Sequence, residues 1–275
     1  MQKFNIEFPK EVLTPGKHNK INFDLLEGKV ILGLMGYAKS GKDSIAKTFI
    51  EKYGYQRVAF ADNIKKEMNT YLKEAICNDI NTRLEEKRGF IEYWPMVVSQ
   101  IDFFTENLEL KKILRPYIIW YGETLRTING QFCWINKALE EDGRDMDKIV
   151  LSDVRRVAEL DLFKNSNEFK KRQINSMAEA GLSISESIEV NNYGTLLFEV
   201  SQFGLVDSDK LTIETIQVAH EQWLIDDTFY IDSRVPDSDN SRRIAMDFQI
   251  KKIVKKFGIE KPQKTKYKQI TIFNS

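Results

Sequence analysis

The sequence is poor in the residues that form disulfides and zinc sites. Among its 275 residues are two cysteines, Cys77 and Cys133, and two histidines, His18 and His220, all far apart in the chain. With no Cys-x-x-Cys pair, nothing in the sequence indicates a zinc site. Two isolated cysteines predict free, mostly buried thiols rather than a disulfide.

The sequence also lacks an excess of either charge and any long apolar run. Basic and acidic residues balance at 41 each, so no global field favours nucleic acid or a membrane surface. No apolar stretch approaches a membrane span, and Met1–Phe4 begins nothing like a signal peptide. We therefore expect a cytoplasmic protein without nucleic-acid or membrane partners, while a homodimer stays open.

A glycine-bounded loop between a predicted strand and a predicted helix is the central feature of the chain. The run Val30–Met35 is typical of a strand buried on both faces. Apolar residues recur at helical spacing from Ile45 to Tyr53. Between the two runs, Gly36, four further residues, Gly41 and Lys42 have the spacing of a phosphate-binding loop.

The chemistry of such a loop explains its residue types. Glycines let backbone N–H groups turn toward phosphate oxygens, and the following helix adds its positive N-terminal end. Lys42 supplies a mobile charge for the β- and γ-phosphates of a nucleotide. Asp43 stands where a hydroxyl normally ligates Mg²⁺, and the hydroxyl follows as Ser44, so both residues are candidate metal ligands.

The first 28 residues precede the predicted core. Pro9 and the pair Pro15-Gly16 mark turns between short segments such as Phe4–Phe8 and Ile21–Leu25. This pattern predicts a small β appendage, which would cover a sheet edge or a partner surface.

Residues 29–260 are predicted to form one nucleotide-binding domain, followed by a basic tail over residues 261–275. Within the domain we expect a helical excursion over about residues 76–145 and a lid insertion over about residues 201–227, at the rim of the ligand crevice. The further core strands are predicted at Tyr55–Phe60, Lys148–Asp153, Thr195–Val200 and Thr228–Ile231.

A predicted helix starting at Glu109 carries Arg115 and Arg126. Eleven residues are close to three turns, so the two arginines share a face and could hold one anionic ligand. Two surface arginines in ordinary ion pairs are the alternative.

Two other groups of residues are candidates for the same ligand crevice. Asp62 is predicted to cap a helix with Lys65 in its first turn, where a bound monophosphate would offset the unfavourable helix dipole and a solvated lysine is the alternative. Asp153 ends a predicted strand and is followed by Arg155. Because ligands gather at the carboxyl ends of parallel strands, Asp153 is expected to face the same crevice as Lys42 and to hold Mg²⁺ through water.

These segments occur in the order found in the phage and bacterial deoxynucleoside monophosphate kinases of the P-loop kinase superfamily, which most of residues 29–257 resembles. The resemblance rests on Gly36–Ser44 with its Gly-Lys-Asp-Ser ending, Phe60-Ala61-Asp62 followed by Lys65, the block from Arg115 through Tyr121-Gly122-Glu123-Thr124 and Arg126 to Trp134, and Ile149–Arg155 with Glu159 beyond it.

The resemblance implies an α/β three-layer sandwich with a mainly parallel sheet, and transfer of a phosphoryl group from ATP, with Mg²⁺, to a (deoxy)nucleoside monophosphate. It implies contacts to ATP phosphates from Gly36, Lys39, Ser40, Gly41, Lys42, Asp43 and Ser44, and placement of Mg²⁺ by Asp153. It also implies acceptor-phosphate and transition-state contacts from Lys65, Arg115, Arg126 and Arg155, beside Asp62. In this interpretation the catalytic residues are Lys42, Arg126, Asp153 and Arg155.

Two other interpretations stay open. One is a P-loop kinase for another small phosphorylated acceptor, such as phosphomevalonate or dephospho-coenzyme A. The other is a catalytically silent nucleotide-binding regulatory protein. The unusual N-terminal segment, the extra length near residues 76–110 and Ile119 near the position of the family's usual glutamine all permit it.

Overall fold

One five-stranded sheet organises the computed structural model, which describes residues 4–86, 101–164, 194–202, 210–222, 224–232 and 240–259. The strands are β1 (Val30–Met35), β2 (Gln56–Val58), β3 (Lys148–Val154), β4 (Gly194–Gln202) and β5 (Asp227–Ile231). They lie in the order β2-β3-β1-β4-β5, and every neighbouring pair is parallel. The predicted parallel sheet is confirmed.

Helices cover both faces of this sheet. The described α-helices are α1 (Lys42–Tyr53), α2 (Phe60–Tyr71), α3 (Lys73–Glu86), α4 (Leu108–Asn129), α5 (Cys133–Glu141), α6 (Asp161–Lys164), α7 (Lys210–Glu221) and α8 (Asn240–Lys256). None of these described helices is long and apolar enough to cross a membrane.

Side chains of β1 alternate between two separate apolar cores. Leu32 and Leu34 pack with residues of α1 and α8, whereas Ile31 and Met35 pack with residues of α2 to α7. Because helices pack against both faces of β1, its side chains are buried on both sides of the sheet, which accounts for its unbroken aliphatic run. The result is the expected α/β three-layer sandwich.

The second strand is shorter than the sequence predicts, and the following helix begins earlier. β2 ends at Val58, and α2 begins at Phe60 with Ala59 as its N-cap. Asp62 is therefore not the N-cap: its backbone N–H already donates to the carbonyl of Ala59 at 3.0 Å, so the first turn closes before it.

The N-terminal segment is not the β appendage that its pattern predicts. Among residues 4–28 there is no strand, and the chain forms two short 3-10 helices, Lys10–Val12 and Phe23–Leu26. The segment packs on α4: the ring of Phe4 stacks on Tyr117 with centroids 4.1 Å apart, and Phe8 stacks on Tyr121 at 5.4 Å. Aromatic side chains on a helix supply the apolar surface that a sheet edge was expected to provide.

Two buried asparagines replace a β-ladder as partners for the backbone of this segment. The Nδ2 of Asn129 donates to the carbonyl of Val12, and its Oδ1 accepts from the N–H of Thr14, both at 2.7 Å. The Oδ1 of Asn136 accepts from the N–H of Asn22 at 2.9 Å. Because buried backbone groups need partners, these side chains fix the segment to the end of α4 and to α5.

The prediction for the cysteines is confirmed, and the prediction for the C-terminal tail concerns residues outside the described part of the chain. Cys77 and Cys133 are free thiols, as expected, and burial raises the pKa of Cys133 to about 11. Residues 157–164 form a 3-10 helix, Val157–Leu160, which continues as α6. The basic tail predicted over residues 261–275 lies outside the described residues.

Gly130, between α4 and α5, has a geometry that only glycine tolerates. Its φ is +114° and its ψ is +151°, and an added Cβ would lie 2.3 Å from the backbone carbon of His18. We expect Gly130→Ala to lower the free energy of unfolding by about 3 kcal/mol, from backbone strain and overpacking together, as measured by urea denaturation.

Gly28→Ala is the matched control, since Gly28 also has a positive φ, +71°, but nothing lies within 4 Å of an added Cβ. It should cost only the backbone term of about 1–2 kcal/mol. Equal losses for the two variants would contradict close packing of the N-terminal segment on the α4–α5 junction.

Candidate active site

The loop after β1 is shaped by residues with positive φ. Gly36 has a φ of +145°, and an added Cβ would lie 2.4 Å from the carbonyl oxygen of Val200 in β4. Gly41, at +98°, is the N-cap of α1. Lys39 has a φ of +63°, and among the described residues it is the only non-glycine residue with a positive φ. Strained backbone of this kind concentrates at functional sites, and here it lies inside the predicted phosphate-binding loop.

Lys42 lies within the loop rather than extending into solvent. Its side chain is buried, and its Nζ donates to the carbonyl oxygens of Gly36 and Tyr37, each at 2.7 Å. The loop therefore encloses the ammonium group at the first residue of α1. A charge in this position lies where the positive end of the helix dipole adds to it.

Ser40 supplies independent evidence that the loop is built for a ligand. Ser40 is 1% exposed, and its hydroxyl has no hydrogen-bond partner among the described residues. A buried hydroxyl without a partner costs about 1–3 kcal/mol, a cost that an accepting oxygen of a ligand would remove. The geometry of the loop thus fits an anion such as a phosphate group, as the sequence predicts for Gly36–Ser44.

A cavity of about 600 Å³, the large cavity, opens beside the loop. The loop and α1 contribute Lys39, Gly41, Ser44 and Thr48 to its wall, and α8 contributes Arg242 and Arg243. Its volume lies in the range of cavities that bind small molecules and cofactors. Because the loop forms one wall, a nucleotide with its phosphates on the loop would extend its nucleoside into this space.

A second cavity of about 240 Å³, the small cavity, lies at the carboxyl end of β3. It brings together Arg115 and Arg126 of α4 with Asp153 and Arg155, so the predicted shared face of the two α4 arginines is observed. Met35, which leads into the loop, pairs with Val154 of β3. The small cavity therefore lies beside the strand end from which the predicted phosphate-binding loop starts.

Carboxylates hold most of the arginines in the small cavity. Glu123 lies 3.0 Å from Arg126 and also forms an ion pair with Arg156, and Asp153 forms an ion pair with Arg155. Arg115 differs: it is exposed and forms no ion pair within the described residues. With four arginines and three carboxylates in its wall, the cavity carries net positive charge.

Glu159 is the most buried acidic residue of this cavity, at 4% exposure. Its Oε2 accepts from the backbone N–H groups of Arg155 at 2.8 Å and Arg156 at 3.1 Å. Its Oε1 lies 3.5 Å from the Nη2 of Arg126. Burial raises the pKa of Glu159, while Arg126 and the two N–H groups partly offset that rise.

The segment predicted as a lid contributes α7, which lies against this cavity. Leu211 forms part of the cavity wall. The Oγ1 of Thr215 donates to the carbonyl oxygen of Arg155 at 2.7 Å, and the Nε2 of His220 lies 2.9 Å from the carboxylate of Glu199 in β4. Helix α7 thus covers the end of β3 and β4.

Two predicted acceptor residues lie outside both cavities. The carboxylate of Asp62 pairs with Arg57 at 2.7 Å. The Nζ of Lys65 lies 3.8 Å from Asp62 and 5.2 Å from the ring centroid of Phe104. Neither residue lines the large or the small cavity, so their role at an acceptor stays a prediction.

The candidate metal ligands are divided between different places. Ser44 lines the large cavity, Asp153 lines the small cavity, and Asp43 is exposed in the first turn of α1. The described part of the chain contains no group of three or more His, Cys, Asp or Glu residues suited to a metal ion. The predicted role of these three residues with Mg²⁺ remains untested.

Sequence reasoning did not assign roles to several residues that the fold places at the site. Glu123 and Arg156 complete the charge network, and Arg242 and Arg243 border the large cavity. The (i, i+3) spacing of Glu123 and Arg126 is a signal that could have identified Glu123 as an ion-pair partner of Arg126. For the residues of α8 no local signal exists, since about 200 residues separate them from the loop.

Ser40→Ala tests whether the buried hydroxyl lacks a partner in the free protein. The variant should leave the free energy of unfolding unchanged or raise it by up to about 1 kcal/mol, because no hydrogen bond is lost, and it should weaken binding of inorganic pyrophosphate. Denaturation curves and calorimetric titration measure the two effects.

Ser152→Ala is the control, since the buried hydroxyl of Ser152 accepts from the Nε of Arg57 at 3.1 Å. That variant should lose about 1 kcal/mol of stability. A loss as large in Ser40→Ala would contradict the absence of a partner for Ser40.

Comparison with known proteins does not identify a family. No protein-family model matches the chain, and no curated protein matches it. One solved structure, described as a "putative kinase" from Chloroflexus aurantiacus, is 9% identical and covers 84% of this chain and 98% of its own, with a TM-score of 0.25. At this level of similarity, inference about function has to come from the residues of the site.

Proposed function

We propose that the protein is an ATP-dependent phosphotransferase that converts a (deoxy)nucleoside monophosphate to the diphosphate. The observation that carries the proposal is the arrangement of two cavities around neighbouring strand ends. A phosphate-binding loop borders the large cavity, and an arginine-lined small cavity lies at the carboxyl end of the adjacent β3. A donor and an acceptor, each phosphorylated, would meet between them.

The donor side is supported by the loop itself. The orphaned hydroxyl of Ser40, the N-terminus of α1 and the ammonium group of Lys42 all suit phosphate oxygens. On binding ATP, Lys42 would exchange the carbonyl oxygens of Gly36 and Tyr37 for the β- and γ-phosphates. The large cavity then accommodates the nucleoside.

The acceptor side is supported by the composition of the small cavity. Its net positive wall suits a phosphate group, with Arg115 carrying a charge that no described carboxylate neutralises. Phe60, Ile64 and Ile118 add an apolar side to the same cavity. A small molecule with a phosphate at one end and a flat apolar base at the other matches both surfaces.

Phosphoryl transfer requires little covalent chemistry from the protein. In phosphoryl transfer the charge spreads over the oxygens of the transferred group, and fixed positive groups around it supply most of the catalysis. Lys42 from the donor side, with Arg126 and Arg155 from the acceptor side, would provide these groups. Mg²⁺, for which Asp153 and Asp43 or Ser44 are the candidate ligands, would neutralise charge on the β- and γ-phosphates.

A second candidate function is a kinase for an aliphatic phosphorylated acceptor such as phosphomevalonate. The observation in its favour is the share of aliphatic side chains in the small cavity, where Ile118, Ile119 and Leu211 join the wall. Such a wall accepts an aliphatic chain as readily as a base, since apolar burial is not directional.

A coupled ADP-release assay with ATP and Mg²⁺ tests the proposal directly. The acceptors are a panel of ribo- and deoxyribonucleoside monophosphates, with phosphomevalonate and dephospho-coenzyme A alongside. Stimulation by one or a few nucleotides supports the proposal, and stimulation by phosphomevalonate alone supports the second candidate. A flat panel with separately measured ATP binding would instead favour a nucleotide-binding regulatory protein.

Lys42→Ala should reduce turnover by about 100-fold or more, because it removes a charge that acts on the transferring phosphate. The fold should persist, with a loss of about 3 kcal/mol from two charge-assisted hydrogen bonds to loop carbonyls. Circular dichroism and the coupled assay measure the two effects. Lys251→Ala, in an exposed position of α8, is the control and should keep full activity. An active Lys42→Ala would refute the assignment of the loop.

Arg115→Ala should raise the KM for the acceptor by about 10-fold or more and leave the KM for ATP unchanged. The expected size is that of one charge-assisted hydrogen bond. Arg144→Ala is the control, because Arg144 is exposed, pairs with Glu140 at 3.6 Å and lines neither cavity. A change confined to the KM for ATP would contradict a contact of Arg115 with the acceptor.

A further inference from the structure

We infer that Glu159 is a positioning residue, which holds the arginines of the small cavity in the arrangement that binds the acceptor phosphate. The inference rests on the proposed function and deepens it. In this role Glu159 acts through Arg126 and through the backbone that carries Arg155 and Arg156.

One carboxylate joins two parts of the chain that are distant in sequence. Its Oε2 accepts two backbone N–H groups directly after β3, at 2.8 and 3.1 Å. Its Oε1 faces the guanidinium of Arg126 on α4, at 3.5 Å. The single side chain therefore sets the position of the strand-end arginines relative to the helix arginine.

Capping of the local turn accounts for only part of this arrangement. The contact of Oε2 with the N–H of Arg156 closes the first turn of the 3-10 helix Val157–Leu160, and a neutral amide oxygen could do the same. The negative charge matters at the other oxygen, toward Arg126. Burying a carboxylate is costly unless it is paired and hydrogen-bonded, so the charge indicates a role beyond the turn.

The charged neighbours determine what loss of this carboxylate would do. Arg126 also contacts Glu123 at 3.0 Å, and Glu123 pairs with Arg156 as well. Asp153, paired with Arg155, is the other acid of the network. Without the charge of Glu159, Glu123 would be the remaining ion-pair partner of Arg126 among the described residues, and Arg126 would lose its fixed position relative to Arg155.

Glu159→Gln separates the two contacts of the side chain. The amide oxygen can still accept from the N–H groups of Arg155 and Arg156, whereas the NH₂ group faces the donors of Arg126. We expect the KM for the acceptor to rise by about 10-fold, the scale of a lost charge-assisted contact. The KM for ATP should stay close to the wild-type value. Glu140→Gln, exposed and paired with Arg144, is the control and should change neither KM.

A double-mutant cycle distinguishes positioning from simple structural support. In an Arg126→Gln background, Glu159→Gln should change the KM for the acceptor by less than about 2-fold, because its partner is gone. An equal factor in both backgrounds, or no effect of Glu159→Gln on the wild type, would overturn the inference. If Glu159→Gln does not fold, Glu159→Asp keeps the charge with a longer contact and enters the same cycle.

The inference and the proposed function fail in different ways. If the wild-type protein shows no turnover with any acceptor, the proposed function fails, and the cycle is repeated with calorimetric binding of inorganic phosphate. The part of that binding that Arg115→Ala removes belongs to the small cavity. Coupling between Glu159 and Arg126 in that part supports the positioning role for an anion site, and additive effects overturn it.

Discussion

Hydrogen bonds join β1 in parallel to β3 on one side and to β4 on the other, and the site depends on this pairing. Because the pairs are parallel, the glycine-bounded loop after β1, Asp153 near the end of β3, the arginines that follow it and the end of β4 all lie at one edge of the sheet. The close approach of Gly36 to the carbonyl of Val200 is a direct consequence. Slipping either pairing would separate the groups that the proposed reaction needs.

The charged side chains of the site are held in place by carboxylates and backbone carbonyl oxygens. In the small cavity Glu123, Asp153 and Glu159 each hold one or more arginines, and Arg115 provides an unneutralised charge within the described residues. In the loop, carbonyl oxygens hold Lys42. Such preorganised donors need little reorganisation when charge develops in a transition state, which is the physical basis of the proposed phosphoryl transfer.

Local patterns were sufficient for the central elements and failed where partners are distant. The strand Val30–Met35, the helix after the loop and the arginine-bearing helix were predictable, because burial and periodicity are properties of neighbouring residues. The N-terminal segment was predicted to be β and is not. Its conformation follows from contacts of Phe4 with Tyr117 and of Val12 with Asn129, more than 100 residues away, and no local pattern contains such contacts.

The sequence by itself determined the glycine-bounded loop between β1 and α1, the parallel α/β class and the arginines that share a face of one helix, because residue type and spacing dictate each of them. Only the tertiary structure decided that Arg115, Arg126, Asp153 and Arg155 line one cavity while Asp62 and Lys65 do not. It also revealed that α8 completes the large cavity and that Glu159 joins β3 to α4. Contacts of this kind depend on how helices pack across a sheet, and the energy of packing belongs to pairs of surfaces rather than to either segment alone.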